Sequence, residues 1–180
     1  MRKAITIIVT LSLLLMLCAC FGKGEGMFRR KFDQDQEYAN KQLNILLDAI
    51  ENEDKNLVKS LFSKNTISNV QNFETSIEDL FEYFKGTAPV WNDQCPQVVD
   101  GGYEGESERI IITSSYDIKT SEDSYRISFR ACRVDTANPD NIGIWSLYII
   151  LLKDDTNSQY TYWGDGKNTI GINIGIPNAE

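Results

Sequence analysis

An α+β fold is predicted for this 180-residue chain, with the helices at its front and the strands behind them. Apolar residues recur at steps of three and four up to about residue 87. Beyond that point they recur at every second residue. The change of period happens once, so helices and strands form separate layers and not alternating βαβ units. The expected architecture is N-terminal helices packed on a curved, mostly antiparallel sheet, with a cone-shaped hollow where the sheet curls around them.

In the first helix Ala39, Leu43, Leu46, Leu47 and Ile50 form one stripe, with Lys41, Asp48 and Glu51 off it. Residues 54–62 read as a second helix, burying Leu57, Val58, Leu61 and Phe62 behind an N-cap at Asp54 or Asn52. For the third, Thr75-Ser76-Ile77-Glu78 has the pattern of a capping box. Ile77, Leu80, Phe81 and Phe84 make its apolar face, and Gly86 is placed to end it. The polar stretch 63–73 between them is expected to be a loop with one short helical turn.

Strand periodicity begins at 109–119, where Ile110, Ile112, Ser114, Tyr116 and Ile118 share a face opposite Ile111, Thr113, Ser115 and Asp117. Ser121-Glu122-Asp123-Ser124 reads as a hairpin turn into a strand over 125–134. Tyr125, Ile127, Phe129 and Ala131 take one face of it, and Arg126, Ser128, Arg130 and Cys132 the other. Asn138-Pro139-Asp140-Asn141 breaks the chain before 144–152, which is apolar on both faces as a central strand should be. Residues 160–163 and 169–174 are two shorter strand candidates.

The N-terminus carries an address. Met1-Arg2-Lys3 precedes 16 residues without a charge, closed by Leu17-Cys18-Ala19-Cys20. At ~1.5 Å per residue such a run covers about 24 Å, short of the ~30 Å hydrocarbon core. Cations, a short apolar middle and a small residue before cysteine resemble a bacterial lipoprotein signal peptide with its lipobox. That resemblance implies cleavage before Cys20 and a diacylglycerol on its sulfur. Ala19 supplies the small residue, which favours Cys20 over Cys18. An uncleaved anchor and ordinary signal-peptidase cleavage near Ala19 are the rival readings. The expected organisation is a signal peptide over 1–19, the lipidated cysteine and a Gly-rich tether over 20–34, and one α+β domain over 35–180. The implied location is the extracytoplasmic face of the cell membrane, held by the lipid.

Loss of residues 1–19 leaves 161 residues and moves the formal charge from −8 to −10, because Arg2 and Lys3 go and no acid does. An acidic surface argues against sequence-independent nucleic-acid binding, and no nucleic-acid partner is expected. The chain has no histidine, which removes Ser-His-Asp and Cys-His catalysis, the usual zinc sites and imidazole switches. No cofactor or metal is expected. In the loop 100–108 four carboxylates stand among glycines, but their spacing matches no EF-hand, and a solvated hairpin tip is the plainer account.

Three further candidates deserve naming. Cys95 and Cys132 are the cysteines of the mature domain, and in an exported protein they form a bridge candidate worth about 3–4 kcal/mol. Arg126 and Arg130, four apart on one strand face, would grip a carboxylate or phosphate if that face lines the cone. If it faces solvent, they pair with acids across the sheet. Acid–base catalysis would need a carboxylate in an apolar pocket opposite a tyrosine, and no carboxylate stands inside an apolar strand face.

The span from about residue 38 to 152 carries a further resemblance. Lys59-Ser60-Leu61-Phe62-Ser63, Phe84-Lys85-Gly86, Tyr125-Arg126-Ile127 after the Thr120 turn, and Asn141-Ile142-Gly143-Ile144 are similar to an uncharacterised family of Gram-positive bacterial lipoproteins. The resemblance implies a nuclear-transport-factor-like, or cystatin-like, fold, and carries no catalytic residue with it. Two functions are therefore expected to compete. One is a non-enzymatic binding domain for a peptide, glycan or protein partner, and the other is a small-molecule enzyme using the cone.

Overall fold

The computed structural model describes residues 33–104, 107–155 and 167–175. The chain divides into two compact units, Met1–Glu37 and Tyr38–Glu180. Of the first, the described residues 33–37 are helical.

In the second unit four helices come first, as the period of the apolar residues predicts. The first, α1 over 38–51, buries Ala39, Leu43, Leu46, Leu47 and Ile50. α2 (Lys55–Leu61) is capped by Asp54, whose carboxylate accepts from the Leu57 N–H at 3.0 Å. The stretch read as a loop contains α3 (Lys64–Asn69), because the Ser63 hydroxyl accepts from the Thr66 N–H at 3.0 Å and starts a helix there.

α4 (Phe73–Tyr83) starts before the expected capping box, at Asn72 in the left-handed region, with no side-chain cap. The earlier start changes the buried stripe. Phe73, Ile77, Leu80 and Phe84, at steps of four, three and four, are buried. Phe81 is only half-buried, because the residue after Leu80 lies about 100° round the helix.

The described residues form one five-stranded sheet in the order β1 (Val90–Glu104), β2 (Ser107–Lys119), β3 (Ser124–Asp135), β4 (Gly143–Leu151) and β5 (Gly171–Ile174). All neighbours are antiparallel except β4 and β5, which run parallel. The sheet is open, with the helices packed on one face. β1 has no counterpart in the periodicity. Its Asp100-Gly101-Gly102 run is a poor strand former, and it is an edge strand held by the backbone ladder to β2. Candidate strand 160–163 lies outside the described residues.

Bulges bend the sheet. The ladders place one extra residue on β3, Arg133, and one on β4, Trp145. Two shifts interrupt the β1 ladder around Cys95. Each extra residue increases local twist and turns the strand.

The face toward the helices carries Ile112, Tyr116, Ile118, Tyr125, Ile127, Phe129, Leu147 and Ile149, all buried in one core with the helix stripes. Two junctions fix the helices to it. At one, the Ser63 N–H donates to the Ile144 carbonyl at 3.1 Å, and Gly143 has φ of +124° with no room for a side chain beside Ser63 and Phe62. At the other, the Tyr125 hydroxyl accepts from the Lys85 N–H at 2.8 Å, and the Tyr83 hydroxyl accepts from the Leu151 N–H at 3.1 Å.

Candidate functional site

The hollow expected between sheet and helices is the first place to look for chemistry. Among the described residues, aromatic side chains of β1, β2 and β3 pack into it. Tyr116, fully buried, donates its hydroxyl to the Asn40 side chain at 2.9 Å. Trp91 meets Tyr116 edge-on at 5.3 Å and donates its ring N–H to Asn44 at 3.0 Å. Phe129 stacks on Tyr116 at 6.0 Å. An aromatic row thus runs from the edge strand into the core, sealed by two asparagines one turn apart on α1. The inner-face positions beneath the helices, Ile110 to Ile118 on β2, Tyr125 to Ala131 on β3 and Leu147 to Leu151 on β4, carry no carboxylate, so an acid–base pair has no seat there.

Arg126 and Arg130 stand on the opposite face, and their surroundings differ. Arg126 is a structural ion pair. Its Nε and Nη2 donate to the two carboxylate oxygens of Asp117 at 2.8 and 3.1 Å, and its Nη1 donates to Asp155. Asp117 is its cross-strand neighbour, while Asp155 arrives from beyond β4. The three side chains are 11%, 23% and 10% exposed. The fork that was to grip a ligand holds the chain's own acids, as the cross-sheet pairing account anticipates. Asp117, with both oxygens on Arg126, is not free to act as a base.

Arg130 makes no such pair among the described residues. Its guanidinium lies over the indole of Trp145, 5.6 Å from the ring centroid. Trp145 is the bulge residue of β4, and its ring N–H donates to the Asn141 carbonyl at 2.6 Å. The two arginines therefore do not act together. Sequence reasoning missed Asp155 and Trp145 because one sits at a turn and the other is out of step with its strand.

Cys132 is a free, buried thiol, which corrects the Cys95–Cys132 bridge. Cys95 lies on β1 against Ser115 of β2, whereas Cys132 lies on β3 against Ile111. With β2 between them, two strand spacings of ~4.8 Å already exceed the ~7 Å Cα separation a disulfide spans. Burial pushes the Cys132 thiol pKa up, and the thiol donates to the Val134 carbonyl at 3.2 Å.

Asp135 organises the loop beyond β3. It accepts from the Asn141 side chain and from the Asn138 and Ala137 N–H groups, which hold its pKa below the usual carboxylate range. Asn141 also accepts from the Asn65 side chain at 2.7 Å, tying the loop to α3. This is turn construction. Burial also pushes the Tyr38 hydroxyl up to about 12. Cys20 lies outside the described residues. Among the described residues no helix is long and apolar enough to cross a membrane.

No curated protein matches the chain. Residues 45–154 match the model of a family described as a domain of unknown function, DUF5104. The matched stretch takes in the second half of α1, then α2 to α4 and β1 to β4, and leaves out the parallel strand β5. It covers more than half of the 180 residues, and the chain belongs to the DUF5104 family.

Proposed function

We propose that the chain is an extracytoplasmic lipoprotein, anchored through a diacylglycerol on Cys20. On this reading its Tyr38–Glu180 unit is a nuclear-transport-factor-like, or cystatin-like, domain that binds a peptide, glycan or protein partner without transforming it. The aromatic packing on the inner face supports the binding half of the proposal. Acid–base chemistry in such a hollow would need a carboxylate in an apolar pocket, and the described part of the hollow holds the packed rings of Tyr116, Trp91 and Phe129. The address rests on the uncharged run over 4–19 and on Ala19-Cys20 at its end.

Mass spectrometry of membrane-extracted protein tests the anchor. The expected finding is an acylated peptide beginning at Cys20, absent from Cys20→Ser. An intact Met1 peptide at high occupancy would overturn it. For the domain, turnover of any small molecule at the hollow that disappears in Tyr116→Phe would overturn the non-enzymatic reading.

A further inference from the structure

We infer that Arg130, Trp145 and Thr113 form a binding site for a small oxyanion, a carboxylate or a phosphate group, on the sheet face away from the helices. The inference rests on the binding-domain reading and gives that domain a ligand class. Arg130 is half-buried in a chain of net charge −8, yet no acid among the described residues pairs with it. Its neighbour on the same face, Arg126, holds two. A guanidinium in an acidic protein normally finds a carboxylate, and one that none of the described acids pairs with suits a ligand that brings its own.

The surroundings prepare it for that. Trp145 is fixed by its 2.6 Å hydrogen bond to the Asn141 carbonyl, and its indole braces one flank of the Arg130 guanidinium. A braced fork loses less side-chain freedom when it takes up an oxyanion through two parallel N–H bonds. The bulge is what puts Trp145 there. Without the extra residue, strand alternation would point position 145 to the face opposite its neighbour Ser146, the direct partner of Arg130. Directly across the other ladder stands Thr113, half-buried, its hydroxyl without a partner among the described residues. One hydroxyl and one fork on adjacent strands match the donors that a carboxylate or phosphate needs.

The test uses the full chain in non-ionic detergent, with the Arg130 Nε–H resonance followed by NMR at constant ionic strength. Acetate, inorganic phosphate and chloride are the three titrants. The expected result is a saturable shift with acetate, phosphate or both, which also tells the two sources apart, while chloride gives none. Arg130→Lys keeps the charge and loses the fork, so the tryptophan fluorescence response to the same titrant should weaken about tenfold. Thr113→Val, a near-isosteric change, should weaken it by a smaller factor. Shifts that merely follow chloride, or fluorescence titrations unchanged in both variants, would overturn the site. That failure with Cys20 acylated would leave the tethered-binding reading in place, and a saturable site on a chain lacking acylation would do the reverse.

Discussion

Thr120 fills the space that a side chain on Gly86 would need. A Cβ built on Gly86 falls 2.4 Å from the Thr120 Oγ1 and 2.9 Å from the Glu122 nitrogen, and Gly86 has φ of +88°. The same hydroxyl donates to the Lys85 carbonyl at 2.8 Å and accepts from the Glu122 and Asp123 N–H groups. Gly86→Ala combines left-handed strain with a clash against this hub and is expected to cost about 2–4 kcal/mol. At Gly175, φ is +71° but nothing lies within 4 Å. Gly175→Ala should cost only about 1–2 kcal/mol. Urea denaturation of both variants checks the difference, and equal losses would mean that the hub is not rigid.

The stripe of α4 makes a second comparison. Phe73 is 5% exposed and meets Phe62 edge-on at 5.0 Å. Phe73→Ala should cost about 3–5 kcal/mol through lost transfer energy and a residual cavity. Phe81 keeps part of its ring in water, and Phe81→Ala should cost about half as much. The ranking is read from denaturation midpoints at unchanged slope.

Arg126 and Arg130 are expected to part company. Arg126→Ala strands Asp117 and Asp155 in a largely dry setting, for a loss of about 3–5 kcal/mol. Arg130→Ala removes a partly exposed cation–π contact, for about 1 kcal/mol or less. Thermal unfolding of the two variants, with Arg126→Ala melting clearly lower, checks this.

Burial raises the pKa of Tyr38 to about 12 and raises those of Tyr83 and Tyr125 as well. The folded chain keeps these protons, whereas unfolded tyrosine releases them near pH ~10. The stabilisation is complete below ~10 and is lost as the pH climbs toward 12. Asp135 works in the opposite sense. Its lowered pKa contributes above ~4, the unfolded value, and the contribution fades as the pH falls through the folded one. Stability measured against pH should therefore drop at both ends. Tyr38→Phe should flatten the alkaline limb, and Asp135→Asn the acid one.

Much of this was legible from residue order. The α1 stripe, the Asp54 cap, the hairpin at 121–124 and the facing of Tyr125, Ile127 and Phe129 follow from periods and turn chemistry. The pairing of Arg126 with Asp117 follows from that hairpin's register. What stayed hidden depends on distance along the chain. Lys59–Ser63, Phe84-Lys85-Gly86, the Thr120 turn and Asn141–Ile144 read as punctuation, yet they meet in pairs. Lys85 reaches Thr120 across 35 positions, and Asn65 reaches Asn141 across 76. Asp155 comes to Arg126 from 29 positions away. β1 was invisible because its ladder and not its composition makes it a strand. The facing of Trp145 was hidden because a bulge breaks the alternation on which facing is judged.

Those long reaches also set an order of events during folding. α2 and α3 are seven and six residues long, too short to persist in water alone. α3 is tied at Asn65 to a loop 76 positions later, and the end of α4 is tied through Tyr83 to Leu151, 68 positions later. The helices leave the ribosome first but reach their final form only after β4 has been made. Such a chain has high contact order and should fold slowly for its size, with its helical half exposed in the meantime to whatever accompanies it.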